Sequence, residues 1–202
     1  MLAAELLRRA RDGRVIAAIA GAPGSGKSTI AERLVELIGE QAPGAAAILP
    51  MDGYHYDDLL LEELGRRPRK GAPDTFDVGG LHAMLARLRA NEEDAVAVPV
   101  FDRDIEIARA GARLVPQDVR IIVAEGNYLL LREGAWSDLK PLFDVTVFVD
   151  VDGATLRKRL ENRWRGYGLS PEEIRAKVEG NDLPNGRLVI AAGAEADYRL
   201  ES

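Results

Sequence analysis

The strongest chemical signal in this sequence is a glycine-rich segment that ends in a lysine and a hydroxyl side chain. It fits the pattern G-x-x-x-x-G-K-[ST] at every fixed position and reads Gly21-Ala22-Pro23-Gly24-Ser25-Gly26-Lys27-Ser28. A loop with few Cβ atoms lets backbone N–H groups surround phosphate oxygens. Lys27 can then reach the β- and γ-phosphates, while the Ser28 hydroxyl can bind Mg²⁺. The segment, together with the following Thr29, therefore predicts a binding site for a nucleoside triphosphate.

The residues on either side of this loop predict the structure that the motif needs. Residues 15–20 form an unbroken apolar run, which is typical of a parallel strand buried on both faces. After the loop, Ile30, Leu34 and Ile38 recur at helical spacing, and Gly39 can end the helix. A strand, a glycine loop and a helix in this order favour a phosphate-binding loop over the alternative, a flexible glycine turn with a solvated lysine.

Composition limits the class of protein. With 202 residues, the chain is expected to form one α/β domain, residues 1–202, with room for an insertion. A net charge of −6 argues against nucleic acid as a partner, because phosphate-neutralising proteins carry a basic excess. The chain has no cysteine, which suits a reducing cytoplasm. No apolar run approaches the length of a membrane helix, and the N-terminal stretch is amphipathic, so we expect no membrane association.

Two acidic residues follow apolar runs that are predicted to be strands. Asp52 follows residues 45–51, and Glu125 follows residues 120–124. In parallel α/β sheets the ligand crevice lies beyond the carboxyl ends of the strands, so both acids are expected near the phosphate loop. Either acid can serve as a general base while the other binds Mg²⁺, and their spacing in the sequence leaves both assignments open.

A basic cluster near residue 160 has the composition of a lid. Its members lie before Gly166 and Gly168 and are Arg157, Lys158, Arg159, Arg163 and Arg165. Arginines beside mobile glycines can close over a triphosphate and stabilise charge on the transferred group. We predict a lid over residues 157–168, with a solvated helix face as the alternative.

Residues 54–116 are predicted to form a substrate-binding insertion. Residues 79–90 have a helical pattern, and residues 95–101 and 112–116 are expected to be short edge strands, since each contains proline. The basic stretch 65–74 is either a mobile clamp on an anionic substrate or a solvated loop. The charged run 102–109 either lines a polar substrate pocket or is an ordinary surface loop. Further along, residues 188–190 are predicted to be the last core strand.

These segments together resemble the phosphate-loop kinases of the phosphoribulokinase, uridine kinase and pantothenate kinase superfamily. The resemblance covers nearly the whole chain. It rests on the phosphate loop and on Met51-Asp52-Gly53-Tyr54-His55, Pro99-Val100-Phe101-Asp102-Arg103, Glu125-Gly126-Asn127-Tyr128, the arginine helix and Asn181-Asp182-Leu183-Pro184-Asn185. Within the superfamily, the run 67–77, taken together with residues 125–128, is most similar to proteins labelled fructose transport system kinases. No histidine lies near residues 101–103, unlike in uridine kinases.

The resemblance implies a three-layer fold, a central and mostly parallel sheet between helices, with a lid and a small insertion. It also implies phosphorylation of a hydroxyl on a small molecule, with a sugar or a sugar-like metabolite as our first expectation. ATP and Mg²⁺ are the implied cofactors. Asp52 would be the base, assisted by Lys27, Arg159 and Arg163, and Ser28 and Glu125 would hold the metal. The implied substrate contacts are Tyr54, His55, Phe101, Asp102, Arg103, Asn127 and Tyr128.

Alternatives remain at this stage. Nucleoside or pantothenate kinases are alternatives within the superfamily, and an NTP-hydrolysing switch is an alternative from another class, since residues 77–80 and 150–153 fit D-x-x-G. A degenerate kinase with a regulatory role is disfavoured by the intact Lys27, Ser28, Asp52 and Glu125. The sequence does not separate ATP from GTP. We consider a homodimer as the assembly.

Overall fold

The fold combines a parallel sheet with an antiparallel hairpin. The computed structural model describes residues 1–201. The strands are β1 (Val15–Gly21), β2 (Ala46–Pro50), β3 (Ala95–Asp102), β4 (Ile107–Pro116), β5 (Ile121–Gly126), β6 (Val145–Asp150) and β7 (Tyr198–Glu201). Five of them form a parallel sheet in the order β2, β5, β1, β6, β7. The remaining two, β3 and β4, form the antiparallel hairpin.

Helices pack on both faces of the parallel sheet. They are α1 (Leu2–Arg9), α2 (Lys27–Gly39), α3 (Asp58–Glu63), α4 (Val78–Ala90), α5 (Gly153–Gly166), α6 (Pro171–Lys177) and α7 (Leu183–Ala192). Short 3₁₀ segments lie at Met51–Tyr54, Arg67–Arg69, Pro73–Thr75 and Gly134–Leu142, and a π-helical turn at Val178–Asp182 joins α6 to α7. Among residues 1–201, no helix has the length and apolar character needed to cross a membrane.

Two hydrophobic cores lie on opposite faces of the sheet. Every residue of β1 is buried, and successive side chains alternate between the two faces. Ile16 packs in the core that includes Leu85 of α4, whereas Ala17 packs in the core that includes Leu6 of α1 and Leu34 of α2. This arrangement of helix, sheet and helix confirms the predicted three-layer fold.

The strand register brings the predicted chemical groups to one edge of the sheet. Glu125 of β5 pairs with Pro50 of β2 on one side and with Ile19 of β1 on the other. The three strands therefore end at the same level. The phosphate loop, Glu125 and the turn that carries Asp52 leave the sheet side by side, as the sequence predicts.

The hairpin of β3 and β4 packs on the turn that follows β2. The two predicted edge strands are present, but β3 ends at Asp102 and β4 begins at Ile107, so both ends of the charged run 102–109 lie in strands. Gly53 allows the close approach, because a Cβ there would lie only 2.7 Å from the carbonyl oxygen of Pro99. The hairpin tip, residues 103–106, therefore lies beside Asp52.

The predicted last strand at residues 188–190 is wrong. These residues lie within α7, where Val189 points into the core and Ile190 is half exposed. A short apolar run has no periodicity that separates a strand from a buried helix turn. The sheet is instead completed by β7, which pairs in parallel with β6.

Candidate active site

The phosphate loop has a backbone that only glycine accommodates at three positions. Gly24 and Gly26 have φ of 82° and 87°, in the left-handed region. A Cβ on Gly21 would lie 2.7 Å from Ser25 Oγ and 2.9 Å from the carbonyl oxygen of Val149. Ser25 Oγ is buried and has no hydrogen-bond partner within residues 1–201. The loop is thus a concave backbone cradle of the kind that binds phosphate.

Lys27 begins α2 and is partly buried beside two carboxylates. Burial lowers the pKa of its ammonium group, and the charges of Glu125 and Asp52 partly oppose that shift. A bound triphosphate would favour the charged form further, since nearby negative charge stabilises an ammonium. Lys27 is therefore placed between the phosphate loop and both strand-end acids.

Ser28 and Glu125 form a pair of oxygen donors at the first turn of α2. The Ser28 hydroxyl donates to Glu125 Oε2 at 3.1 Å, and Glu125 is only 6% exposed. Burial raises the pKa of the Glu125 carboxyl, while Lys27 acts in the opposite direction. A hydroxyl and a carboxylate suit Mg²⁺, which uses few protein ligands and takes the rest from phosphates and water. Residues 1–201 contain no cluster of three or more histidine, cysteine or acidic side chains suited to a metal.

Asp52 lies in the 3₁₀ turn after β2 and forms an ion pair with the hairpin tip. Arg103 donates to Asp52 Oδ2 at 2.8 Å. Burial by itself would raise the pKa of the Asp52 carboxyl, but the nearby His55, Arg103 and Lys27 outweigh burial and hold the pKa below its usual value. Asp52 is therefore an ionised carboxylate at neutral pH, which is the state required of a general base.

One pocket, here called the central pocket, opens between the phosphate loop, the hairpin tip and the last helices. Asp52, Arg103 and Asn127 line it, together with Pro23 of the phosphate loop. The Asn127 Oδ1 atom is buried and lacks a hydrogen-bond partner within residues 1–201. An unpaired buried amide oxygen is costly, and because Asn127 also lines the pocket, it is a candidate to accept a hydrogen bond from a ligand.

A row of rings forms one wall of the central pocket. His55 lies between Phe76 and Phe101, with ring centroids 4.0 Å and 4.9 Å away. Its Nδ1 lies 2.8 Å from the carbonyl oxygen of Asp52, so Nδ1 carries the proton and Nε2 is left as an acceptor. Burial lowers the pKa of His55, and Asp52 partly opposes that shift. The neutral ring is thus favoured as pH rises, and the charged ring helps to hold the pKa of Asp52 low only at acidic pH.

The arginine cluster of α5 divides into an inner and an outer set. Arg159 donates to the carbonyl oxygen of Ser25 at 3.1 Å, and Arg163 lines the central pocket. Arg157 forms an ion pair with Glu179 at 3.1 Å on the outer side. The structure therefore brings the two predicted lid arginines, Arg159 and Arg163, to the phosphate loop and the pocket.

Comparison with known proteins places this site in a family. The sequence profile of the Phosphoribulokinase / Uridine kinase family matches residues 15–185. The chain belongs to this family. A "putative uridine kinase" of Schizosaccharomyces pombe is 34% identical over 193 residues, which cover 91% of this chain and 80% of that protein. The uncharacterized protein YggC of Escherichia coli is 33% identical over 190 residues, covering 93% and 78% of the two chains.

A solved structure extends the likeness over the full fold. The "putative fructose transport system kinase" from Silicibacter sp. TM1040 is 40% identical, with a TM-score of 0.90, and the match covers 99% of this chain and 98% of that one. The predicted resemblance is thereby confirmed. This member of the phosphoribulokinase/uridine kinase family is an ATP-dependent small-molecule kinase with the P-loop fold.

Three of the predicted substrate contacts of this kinase, Tyr54, Asp102 and Tyr128, do not line the central pocket. Tyr54 and Tyr128 are buried in the core, and the Tyr128 hydroxyl donates to the carbonyl oxygen of Gly71 at 2.6 Å. Asp102 forms an ion pair with Arg109 at 3.1 Å and lies in a separate groove along the hairpin. Neither tyrosine lines the central pocket, and Tyr128 holds the pocket-lining Gly71 from the core side. In the phosphate loop, Ala22 likewise packs in the core, whereas Thr29 is exposed.

The central pocket also contains residues that the sequence did not single out as site residues. Asn181 donates to the carbonyl oxygen of Lys70 at 2.8 Å, and the buried Asn185 donates to Asn181 Oδ1 at 3.2 Å. Both asparagines line the pocket, along with Trp164 and Asp182. Trp164 Nε1 donates to Asp182 at 2.7 Å, and burial raises the pKa of that carboxyl. The sequence analysis included residues 181–185 only as part of the family resemblance. The π-helical turn at Val178–Asp182, which precedes Asn185, has no local sequence pattern that predicts it.

Proposed function

We propose that this kinase transfers the γ-phosphoryl group of ATP to a hydroxyl of a sugar or sugar-like metabolite. The observation that carries the proposal is the position of Asp52, an ionised carboxylate at the mouth of the phosphate loop, facing a pocket that has an unpaired amide acceptor at Asn127. A base must lie within hydrogen-bond reach of the hydroxyl that it deprotonates, and the pocket offers that place.

The reaction needs one bond to form and one to break. The acceptor oxygen bonds to the γ-phosphorus, the bond from the γ-phosphorus to the bridging oxygen breaks, and Asp52 takes the hydroxyl proton. Lys27 and Arg163 lie where negative charge gathers on the phosphates. Ser28 and Glu125 are the residues that would hold Mg²⁺, which, when bound, neutralises charge on the phosphate oxygens.

An NTP-hydrolysing switch is the rival from another class, and the local structure does not favour it. In the first D-x-x-G segment, Asp77 caps α4 by accepting from the N–H of Gly80 at 2.8 Å. In the second, Asp150 pairs with Arg199 at 2.9 Å and Asp152 caps α5. Helix caps and an exterior ion pair account for both segments without a role in sensing the γ-phosphate.

A uridine-type acceptor is the rival within the family, given the relative from S. pombe. The segment after β3 has no histidine, and the Phe101 ring is already covered by His55, Lys70 and Arg103. A planar base needs an open ring face for stacking, so these contacts support a smaller, non-aromatic acceptor. We infer further a cytoplasmic location, which the lack of cysteine suits, and small molecules rather than nucleic acid or membrane as partners. A homodimer stays a prediction.

The proposal is tested by ADP release from ATP against a panel of sugars, sugar acids, sugar phosphates, nucleosides and pantothenate, with GTP as the second donor. A kinase releases ADP in proportion to a particular acceptor, and the Lys27→Ala variant does not. Release that is independent of every acceptor would assign the protein to the switch class. Release stimulated by uridine alone would replace the sugar-like acceptor with a nucleoside.

A further inference from the structure

The charge lining the central pocket is opposite in sign to that of the whole protein. The chain carries a net charge of −6. The pocket, in contrast, is lined by more basic than acidic side chains: Arg67, Lys70, Arg103, Arg163 and Lys177 face it, against Asp52, Glu106 and Asp182. A cleft with one dominant sign of charge concentrates ligands of the other sign.

Two of these cations already have a role in the proposed reaction. Arg163 of the predicted lid lines the pocket near Pro23 of the phosphate loop, and Arg103 pairs with Asp52. Arg67 and Lys70 lie instead on the basic stretch 65–74. The fifth cation, Lys177, lies over the Trp164 ring, with Nζ 5.0 Å from the ring centroid. Arg67 and Lys70 are therefore left without a role in the proposed reaction.

A single carboxylate behind the pocket orients both Arg67 and Lys70. Asp58 of α3 lies 2.9 Å from Arg67 Nε and 2.6 Å from Lys70 Nζ. Burial would raise the pKa of Asp58, but Lys70 and Arg67 outweigh it, so the carboxyl is held ionised. One negative charge faces two positive charges, and the Lys70 side chain is only 11% exposed. Asp58 therefore orients both cations and compensates one of their two positive charges.

The remaining counter-charge comes from the hairpin tip. Glu106 Oε2 lies 3.6 Å from Arg67, beyond hydrogen-bond distance, and the Glu106 side chain is 48% exposed. The backbone of Glu106 has φ of 52°, which is unfavourable for a residue other than glycine. Its carbonyl oxygen accepts from Lys70 at 2.6 Å. A loosely held carboxylate thus faces Arg67 at the rim of the pocket.

We propose that Arg67 and Lys70 form a subsite for an anionic group of the acceptor, a carboxylate or a phosphate, and that Glu106 occupies this subsite until the acceptor displaces it. The inference rests on the proposed function and narrows its acceptor to hydroxyl compounds that carry a negative charge. Guanidinium and ammonium groups are the usual donors to both anions. Asp58 is a positioning residue that acts through the two cations.

The first test is calorimetric and needs no knowledge of the acceptor. Inorganic phosphate and acetate are titrated separately into protein saturated with Mg²⁺ and a non-hydrolysable ATP analogue, so that the phosphate loop is filled. Arg67→Gln and Lys70→Met should each weaken binding by about tenfold or more, as expected for losing a charge-assisted hydrogen bond. Glu106→Gln should tighten binding several-fold. Arg66→Gln is the matched control, because Arg66 is on the same stretch but pairs outward with Asp74.

The signs of these effects decide the outcome. Opposite effects of Arg67→Gln and Glu106→Gln, with Arg66→Gln unchanged, support the subsite. Equal affinity in wild type and Arg67→Gln, or no saturable binding of either anion, overturns it. Lys70→Arg keeps the charge and should retain binding, and thermal melting checks that each variant is folded. A larger effect with phosphate than with acetate identifies the phosphate ester as the preferred group, and the reverse identifies the carboxylate.

A kinetic test separates the subsite from the proposed function. ADP release is compared for a hexose, its aldonic acid and its terminal phosphate ester. Preference for one of the two anions, lost in Arg67→Gln through a raised KM, supports the subsite. A neutral hexose phosphorylated equally well by wild type and Arg67→Gln would leave the kinase intact and overturn the subsite. Anion binding without any acceptor-dependent ADP release would instead retain the subsite and reject the kinase proposal.

Discussion

The phosphate loop and the central pocket are neighbours in space but are built from the chain in opposite ways. The loop is one continuous segment between β1 and α2, and its function depends on backbone N–H groups and glycine conformations. The central pocket collects side chains from Pro23 to Asn185. A site formed by one short backbone segment depends little on the rest of the chain, whereas a pocket of dispersed side chains can change its ligand without changing the fold. We therefore expect the donor half of the reaction to be general and the acceptor half to be particular to this chain.

The largest effect is expected at Lys27, on the loop side. Lys27→Ala should lower kcat/KM by about 10³-fold or more, because it removes a preorganised charge from the position where the leaving phosphate becomes negative. Lys158→Ala is the matched control, since Lys158 is exposed on α5. Steady-state ADP release measures both variants. Turnover by Lys27→Ala within a few-fold of wild type would show that the phosphate loop does not take part in phosphoryl transfer.

The next effect concerns Arg163, which lies between the two regions. Arg163→Ala should lower kcat by about 10²-fold while changing ATP affinity little, because a lid arginine touches the phosphates mainly in the reactive state. Arg165→Ala serves as the comparison, since Arg165 is exposed and donates to Asn162. Calorimetry with ATP analogue and kinetics together separate binding from turnover. Equal kinetics in the two variants would make the arginine cluster a solvated helix face.

The pH dependence reports on the acid that joins the two regions. The pKa of Asp52 is held low by His55, Arg103 and Lys27 against the effect of burial. The base is lost only as pH falls through that lowered pKa, so kcat/KM should show no loss from Asp52 protonation between about pH 8 and about pH 5. Arg103→Gln should move the acidic limb to higher pH, because a partner that favours the ionised form is gone. An acidic limb unmoved by Arg103→Gln would mean that the pair does not control the base.

The smallest effect is expected at Tyr128, behind the pocket. Tyr128→Phe removes a hydroxyl that donates to the carbonyl oxygen of Gly71 at 2.6 Å. The free energy of unfolding should fall by about 1 kcal/mol, as for a typical buried hydrogen bond. Because the ring is fully buried, kcat should stay close to that of wild type. Denaturant unfolding and kinetics measure the two effects. A large loss of kcat with unchanged stability would indicate that Tyr128 contacts the substrate, as the sequence predicted.

The contrast between one continuous segment and side chains from distant segments also explains which parts of the fold and site could be predicted from the sequence. The loop, β1, α2 and the strand-end acids were readable because each depends on a short local pattern. The division of the arginine cluster was not readable, because Arg159 and Arg157 differ only in which face of α5 meets the loop. Asn181 and Asn185 became site residues through a π-helical turn, which has no local sequence pattern. Tyr54 and Tyr128 were predicted to contact the substrate because they adjoin motif residues, but the structure buries both rings in the core.

In the proposed reaction, Asp52 is the base while Glu125 and Ser28 hold Mg²⁺. The most direct measurement is kcat for Asp52→Asn and Glu125→Gln over a wide range of Mg²⁺ concentration, with the acceptor found in the panel. Asp52→Asn should lower kcat by about 10²–10⁴-fold at every Mg²⁺ concentration, because it removes only basicity. Glu125→Gln should instead raise the Mg²⁺ concentration needed for half-maximal rate. If Asp52→Asn raised the Mg²⁺ requirement and kept full kcat at saturating Mg²⁺, the two acids would have the opposite roles.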